Sequence, residues 1–303
     1  MALPAEILDQ IIGYHTELEE AEPLRYCVYS KPMPLPRKYS NTLLACHKVS
    51  KQFRACVLRY ICRTISIPLY GTPKRLRGLE VVFNEVNPQF GSLASFASEV
   101  DILTIFPQDM PPYDGSLRQN QLKVHRKALL QILNTAAERI AVRKLSISGS
   151  QRARLDWKFL PLPVRNALES LLQLPSVSSL HLKNIWHLPA QVLAINAHLK
   201  SLSLNECWKF QNLSFAASLP ELEEITMQRL AEFPAALMLP SLRTANVQHC
   251  TNEEFRTNCD VIKRASKTLR NIIYNGLSEY ATPPILSVAL MPLCNETCLP
   301  HSM

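Results

Sequence analysis

The stretch Val177-Ser178-Ser179-Leu180-His181-Leu182 returns as Leu199-Lys200-Ser201-Leu202-Ser203-Leu204 and as Leu222-Glu223-Glu224-Ile225-Thr226-Met227. Two further copies follow, Leu242-Arg243-Thr244-Ala245-Asn246-Val247 and Leu269-Arg270-Asn271-Ile272-Ile273-Tyr274. Each copy keeps an apolar residue at its first, fourth and sixth positions. The middle ones, 180, 202, 225, 245 and 272, stand 22, 23, 20 and 27 positions apart. Alternation over the last residues of each copy reads as a short strand with one buried face. A period of this size reads as a stack, in which each returning segment brings the next strand beside the last and every unit covers its neighbour's apolar face.

Looser copies precede these: Cys62, Ile65, Ile67; Val100, Leu103, Ile105; and Val142, Leu145, Ile147. Their longer intervals hold helical stretches such as Leu122 to Arg139, so eight stacked units are expected. Leu174-Pro175, Leu219-Pro220 and Leu239-Pro240 stand before three of the strands, where proline is expected to end a returning helix and set an extended entry. Cys207 and Cys250 fall where a small group bonds backbone in the turn after a strand. Pattern and period resemble the leucine-rich repeat, so the fold class expected is α/β, with a leucine-rich-repeat-like solenoid over 63–280 and a tail over 281–303.

The chain has 303 residues, 47% apolar and 19% charged, with mean hydropathy −0.03, which is ample for a packed core. Seven glycines are too scattered to build a phosphate-cradling loop or a G-x-G-x-x-G turn. No stretch reads as a membrane span, and the opening Met1-Ala2-Leu3-Pro4 does not read as a secretory signal. Nine cysteines in an odd, unpaired set point to reduced thiols and a cytoplasmic or nuclear location. The sequons at Asn212 and Asn295 matter only for a secreted chain.

Twelve basic residues and no Asp or Glu lie between Pro23 and Leu79, although the net charge of the whole chain is only +8. Such a block calls for an acidic partner. No zinc-finger, homeodomain or RNA-binding pattern accompanies it, which disfavours nucleic acid.

Ahead of the stack, Leu3-Pro4-Ala5-Glu6-Ile7-Leu8 opens a short amphipathic helix. Prolines at 23, 32, 34 and 36 mark a loop, inserted over about 13–40. A second helical pattern runs from Asn41 through Val49-Ser50-Lys51-Gln52-Phe53-Arg54. The two halves resemble the F-box, and their order before a leucine-rich-repeat-like region is similar to fungal F-box proteins. The connection between them is longer than is usual in that family, and a surface insertion costs little loop entropy. The resemblance implies a three-helix module over 1–62 that docks on the acidic adaptor of an SCF-type (adaptor, cullin, F-box) ubiquitin ligase. Leu3, Pro4, Ile7, Leu8, Leu44, Val49, Ser50 and Phe53 are the positions it carries to that contact, and cullin follows through the adaptor. It further implies an unidentified protein target, held by the repeats.

The residues between the inward leucines supply a target-binding surface: His181, Lys183, Ser203, Asn205, Thr226, Gln228, Asn246 and Gln248. Trp186 and Trp208 join them, each six residues after the middle residue of its copy and therefore expected side by side, as an inter-repeat packing pair or as a binding anchor. No catalytic constellation is present. The histidines form no H-E-x-x-H pair, no G-x-S-x-G elbow occurs, and the adjacent Cys46 and His47 diverge by about 100° on a helix. Cys294, Cys298 and His301 have ligand-like spacing but no second half-site, so no metal and no cofactor is expected. The competing reading is a repeat scaffold outside the ubiquitin system, whose basic N-terminal helices bind nucleic acid or another partner.

Overall fold

The computed structural model describes residues 63–69, 97–103, 115–149, 154–249 and 251–276, with single residues and short pieces between 57 and 92. The expected helical module of 1–62, apart from the buried Val57, lies outside the described residues, as do the loop over 13–40 and the tail.

The fold is α/β, built on one sheet of eight parallel strands. They are β1 (Thr64–Pro68), β2 (Glu99–Leu103), β3 (Lys144–Ser148), β4 (Ser179–Lys183), β5 (Ser201–Asn205), β6 (Glu224–Gln228), β7 (Thr244–His249) and β8 (Asn271–Gly276). Their order across the sheet is their order in the chain. Helices on the returns include α1 (Gly115–Arg139), α2 (Leu162–Leu172), the single turn α3 (Ala190–Leu193) and α4 (Asn252–Arg264).

The pairing puts like residues in line. Ile65, Val100, Leu145, Leu180, Leu202 and Ile225 form one inward row, and Ile67, Ile102, Ile147, Leu182, Leu204 and Met227 the next, all buried. Each such side chain contributes about 1.5–3 kcal/mol by leaving water. On the core side, α1 buries Leu129, Ile132, Leu133 and Ala136, the spacing of one helix face, and packs on α2, which buries Val164, Leu168, Leu171 and Leu172. Helix α4 starts at Thr251, whose hydroxyl accepts the Glu254 N–H at 3.2 Å, and places Lys263 and Arg264 in its last turn, where the helix dipole favours cations. Arg264 reaches back to the preceding return and donates to the carbonyls of Pro234 and Ala235, both at 2.8 Å.

Three expectations are corrected. The second repeat copy is not Val100, Leu103, Ile105: Val100 and Ile102 face inward behind buried Ala97, and Leu103 falls on the opposite face. The alternation Glu99-Val100-Asp101-Ile102 fits this, because a shift of one residue would turn Asp101 into the core and Val100 and Ile102 out of it. The prolines at 220 and 240 do not follow helices. Their returns are short and extended, and Ala217–Ser218 pairs in parallel with Leu237–Met238; of the three prolines only Pro175 follows a helix, α2. Tyr274, expected inward, is 41% exposed, because β8 is the last strand of the sheet.

The turns leaving the strands repeat as well. Asn184, Glu206 and Arg229 directly follow β4, β5 and β6, and all three adopt left-handed φ, 54°, 54° and 52°. That backbone costs a non-glycine residue about 1–2 kcal/mol. Here it aims each N–H at a carbonyl at the C-terminal end of the next strand: Asn184 to Asn205 at 2.8 Å, Glu206 to Gln228 at 2.9 Å and Arg229 to Gln248 at 3.2 Å. Gly149 begins the same ladder after β3, donating to Lys183 at 2.8 Å.

Candidate functional site

Opposite the core, the pleat turns every second residue of the strands outward. His181, Ser203, Thr226 and Asn246 occupy one row across β4–β7, and Lys183, Asn205, Gln228 and Gln248 the next. The eight expected target-binding residues that lie on the strands therefore form one contiguous array, each of them half-buried. Neighbours bond across the strands: His181 Nδ1 lies 2.8 Å from Ser203 Oγ, and Asn205 Nδ2 donates to Gln228 Oε1 at 2.8 Å. These contacts hold the side chains in place while leaving acceptors and donors for a ligand.

Burial, then the nearby cations Lys183 and Lys144, push the His181 imidazole below its ordinary value of 6.5. Folded protein therefore keeps His181 neutral in a range where the unfolded chain takes up a proton. As pH falls below about 6.5 this linkage removes stability, and above it contributes nothing. The melting temperature is expected to fall less between pH 7 and pH 5 in His181→Gln than in the parent chain. Equal slopes would refute the assignment.

Trp186 and Trp208 do come together, as partners in a parallel bridge at the C-terminal edge of the strands. Both are half-buried, while Leu188 and Phe210, two residues further on in each copy, are buried. The Arg154 guanidinium stands 4.3 Å from the centre of the Trp186 ring and the Lys209 ammonium 5.1 Å from it. His187 Nδ1 lies 2.9 Å from the Asp156 carboxylate. Trp186 thus combines inter-unit packing with cation contacts.

Cys207 occupies the turn position assigned to it. It is buried, and its S–H lies 3.5 Å from the Leu182 carbonyl; burial pushes the thiol up to about 12, which makes it inert at neutral pH. Cys250 lies outside the described residues, with the adaptor-contact positions Leu3, Pro4, Ile7, Leu8, Leu44, Val49, Ser50 and Phe53, and with Cys294, Cys298 and His301. Among the described residues no group of three or more His, Cys, Asp or Glu is placed to hold a metal ion, and no helix is long and apolar enough to cross a membrane.

The sequence reading missed the residues at the N-terminal rim of the same face. The residue before each strand continues the hydrogen-bond ladder, and Arg143, Lys200, Arg243 and Arg270 stand there exposed. Their signal was the second position of each repeat copy, just after its first apolar residue and one residue before the strand. Set against family models, curated proteins and solved structures, the chain matches none of them.

Proposed function

We propose that this chain is a non-catalytic substrate-recognition subunit of an SCF-type ubiquitin ligase. Its first 62 residues dock on the acidic adaptor, and a leucine-rich-repeat-like solenoid presents the outer strand face to a protein target. The observation that carries this reading is an order of features: Leu3-Pro4-Ala5-Glu6-Ile7-Leu8, then Val49-Ser50-Lys51-Gln52-Phe53-Arg54, then eight parallel strands in chain order with a polar array outside. Binding of this kind helps ubiquitin transfer by raising the local concentration of the target. The basic block between Pro23 and Leu79 fits an acidic adaptor surface and speeds association with it.

Co-elution of the full chain with purified adaptor, and of cullin through it, tests the proposal. In an Ile7→Asp, Leu8→Asp double variant, adaptor affinity is expected to fall by roughly 30-fold or more, the loss of about 2 kcal/mol typical of a buried aliphatic anchor. Unchanged affinity in a variant that keeps the parent's circular dichroism would refute the docking assignment. Capture of nucleic acid in place of the adaptor, through the basic block, would favour the scaffold reading.

A further inference from the structure

On three adjacent strands the outer face carries cations without acids. Lys144 begins β3 and Lys183 ends β4, with Arg143 and Lys200 on the rim immediately before β3 and β5. The Ser178 N–H donates to the Arg143 carbonyl at 2.9 Å and the Lys200 N–H to Ser178 at 2.8 Å, so these rim residues lie side by side. No Asp or Glu occurs on β3, β4 or β5. None of the four cations forms an ion pair among the described residues.

Two of the nearest acids are already engaged, whereas Glu223, whose N–H donates to the Lys200 carbonyl at 2.9 Å, borders the rim without an ion pair among the described residues. Glu99 accepts from Arg63 at 2.9 Å and from the Thr64 hydroxyl at 3.0 Å, and Glu206 pairs with Arg229 at 2.7 Å. Asp101 on β2 and Glu223 and Glu224 beside and on β6 bound the strip on its two sides. His181, between the lysines, feels their field as well as its burial.

We propose that β3 to β5 form a docking strip for an extended acidic peptide, its carboxylates set against Arg143, Lys144, Lys183 and Lys200. Spacing favours this partner. Arg143 and Lys200 are two strand separations apart, about 10 Å, and Lys144 and Lys183 are separated by about 13 Å along the strands. A single phosphoryl group would need cations converging on one point, whereas an extended peptide presents side chains on one face about 7 Å apart and meets dispersed cations one by one. Nucleic acid fits less well, because the outward positions of β3–β5 hold no Phe, Tyr or Trp on which a base could stack, and His181 is tied to Ser203 at 2.8 Å. The hydroxyls and amides of Thr226, Gln228, Asn246 and Gln248 alongside suit the peptide's uncharged continuation.

The test uses the full chain and a fluorescein-labelled decapeptide of alternating Glu and Ser, read by anisotropy at low salt. Lys144→Gln, Lys183→Gln is expected to weaken binding on the order of tenfold. Lys158→Gln, Lys263→Gln, which removes the same charge from exposed positions on the return side, is expected to change it less than about twofold. Should the first double variant melt below the parent, Lys200→Gln supplies the same comparison from the rim. Equal losses in the two double variants would overturn the strip in favour of general charge attraction, as would no binding of the Glu-Ser peptide at all. Preference for a phosphoserine peptide by more than about tenfold, or for oligo-dT through the same lysines, would overturn the choice of partner. Adaptor co-elution is measured on the same variants and is expected to stay unchanged, so failure of the strip and failure of the ligase reading give different results.

Discussion

Leu204→Ala is expected to lower the unfolding free energy by about 2–5 kcal/mol, the usual range for a buried leucine cut back to its first carbon. Leu204 is buried at the middle of the sheet, in register with Leu182 on one side and Met227 on the other. Neither neighbour can follow the lost side chain inward without leaving its own row, so a cavity remains in addition to the lost transfer energy. Urea unfolding followed by circular dichroism gives the comparison, with Ile273→Ala as reference. Ile273 is 49% exposed on β8 and should cost no more than about 0.5 kcal/mol. Equal losses at the two positions would contradict the described core.

Gly149→Ala is expected to cost about 1–3 kcal/mol, and Gly149→Val more. A Cβ at 149 would stand 2.8 Å from the Leu155 amide nitrogen and closer still to the Asn184 carbonyl oxygen. Both are backbone atoms, and the Leu155 N–H donates to that same carbonyl at 3.1 Å, so neither yields without breaking the turn ladder. Gly78 provides the contrast. It is helical and exposed with nothing within 4 Å of a Cβ, so Gly78→Ala should be neutral or stabilise by up to about 1 kcal/mol. Thermal melts of the two alanine variants should move apart; a common shift would refute the close approach at 149.

What the sequence made legible depended on how far one side chain's placement is set by its neighbours in the chain. From Val177 to Gln248, clear alternation marked the strands, their faces and the array from His181 to Gln248. At 97–105 two apolar frames overlapped, and the one that is realised opens on buried Ala97, too small and weakly apolar to announce a repeat copy. The short returns before β6 and β7 carry prolines that end helices elsewhere, so local chemistry suggested helices where the chain is extended. The left-handed turns after β4, β5 and β6 use Asn, Glu and Arg with no glycine to mark them, and their support comes from carbonyls in the next unit. Arg154 over Trp186 is likewise a contact between units, beyond the reach of any local pattern.

A sheet whose lateral order equals its chain order acts as a ruler. Each strand adds one interstrand step of about 4.8 Å, whatever the length of the segment that returns to it. The returns before β2 and β3 are long and those before β6 and β7 short, yet all of them advance the sheet by the same single step. Whatever precedes Thr64 is tethered to the first strand, so β5 stands about 19 Å across the sheet from that tether. Lengthening a loop leaves this offset untouched, whereas adding or deleting one unit changes it by a fixed increment. The number of strands ahead of the outer array, rather than the number of residues, therefore sets how far a bound partner is held from anything attached at the start of the sheet.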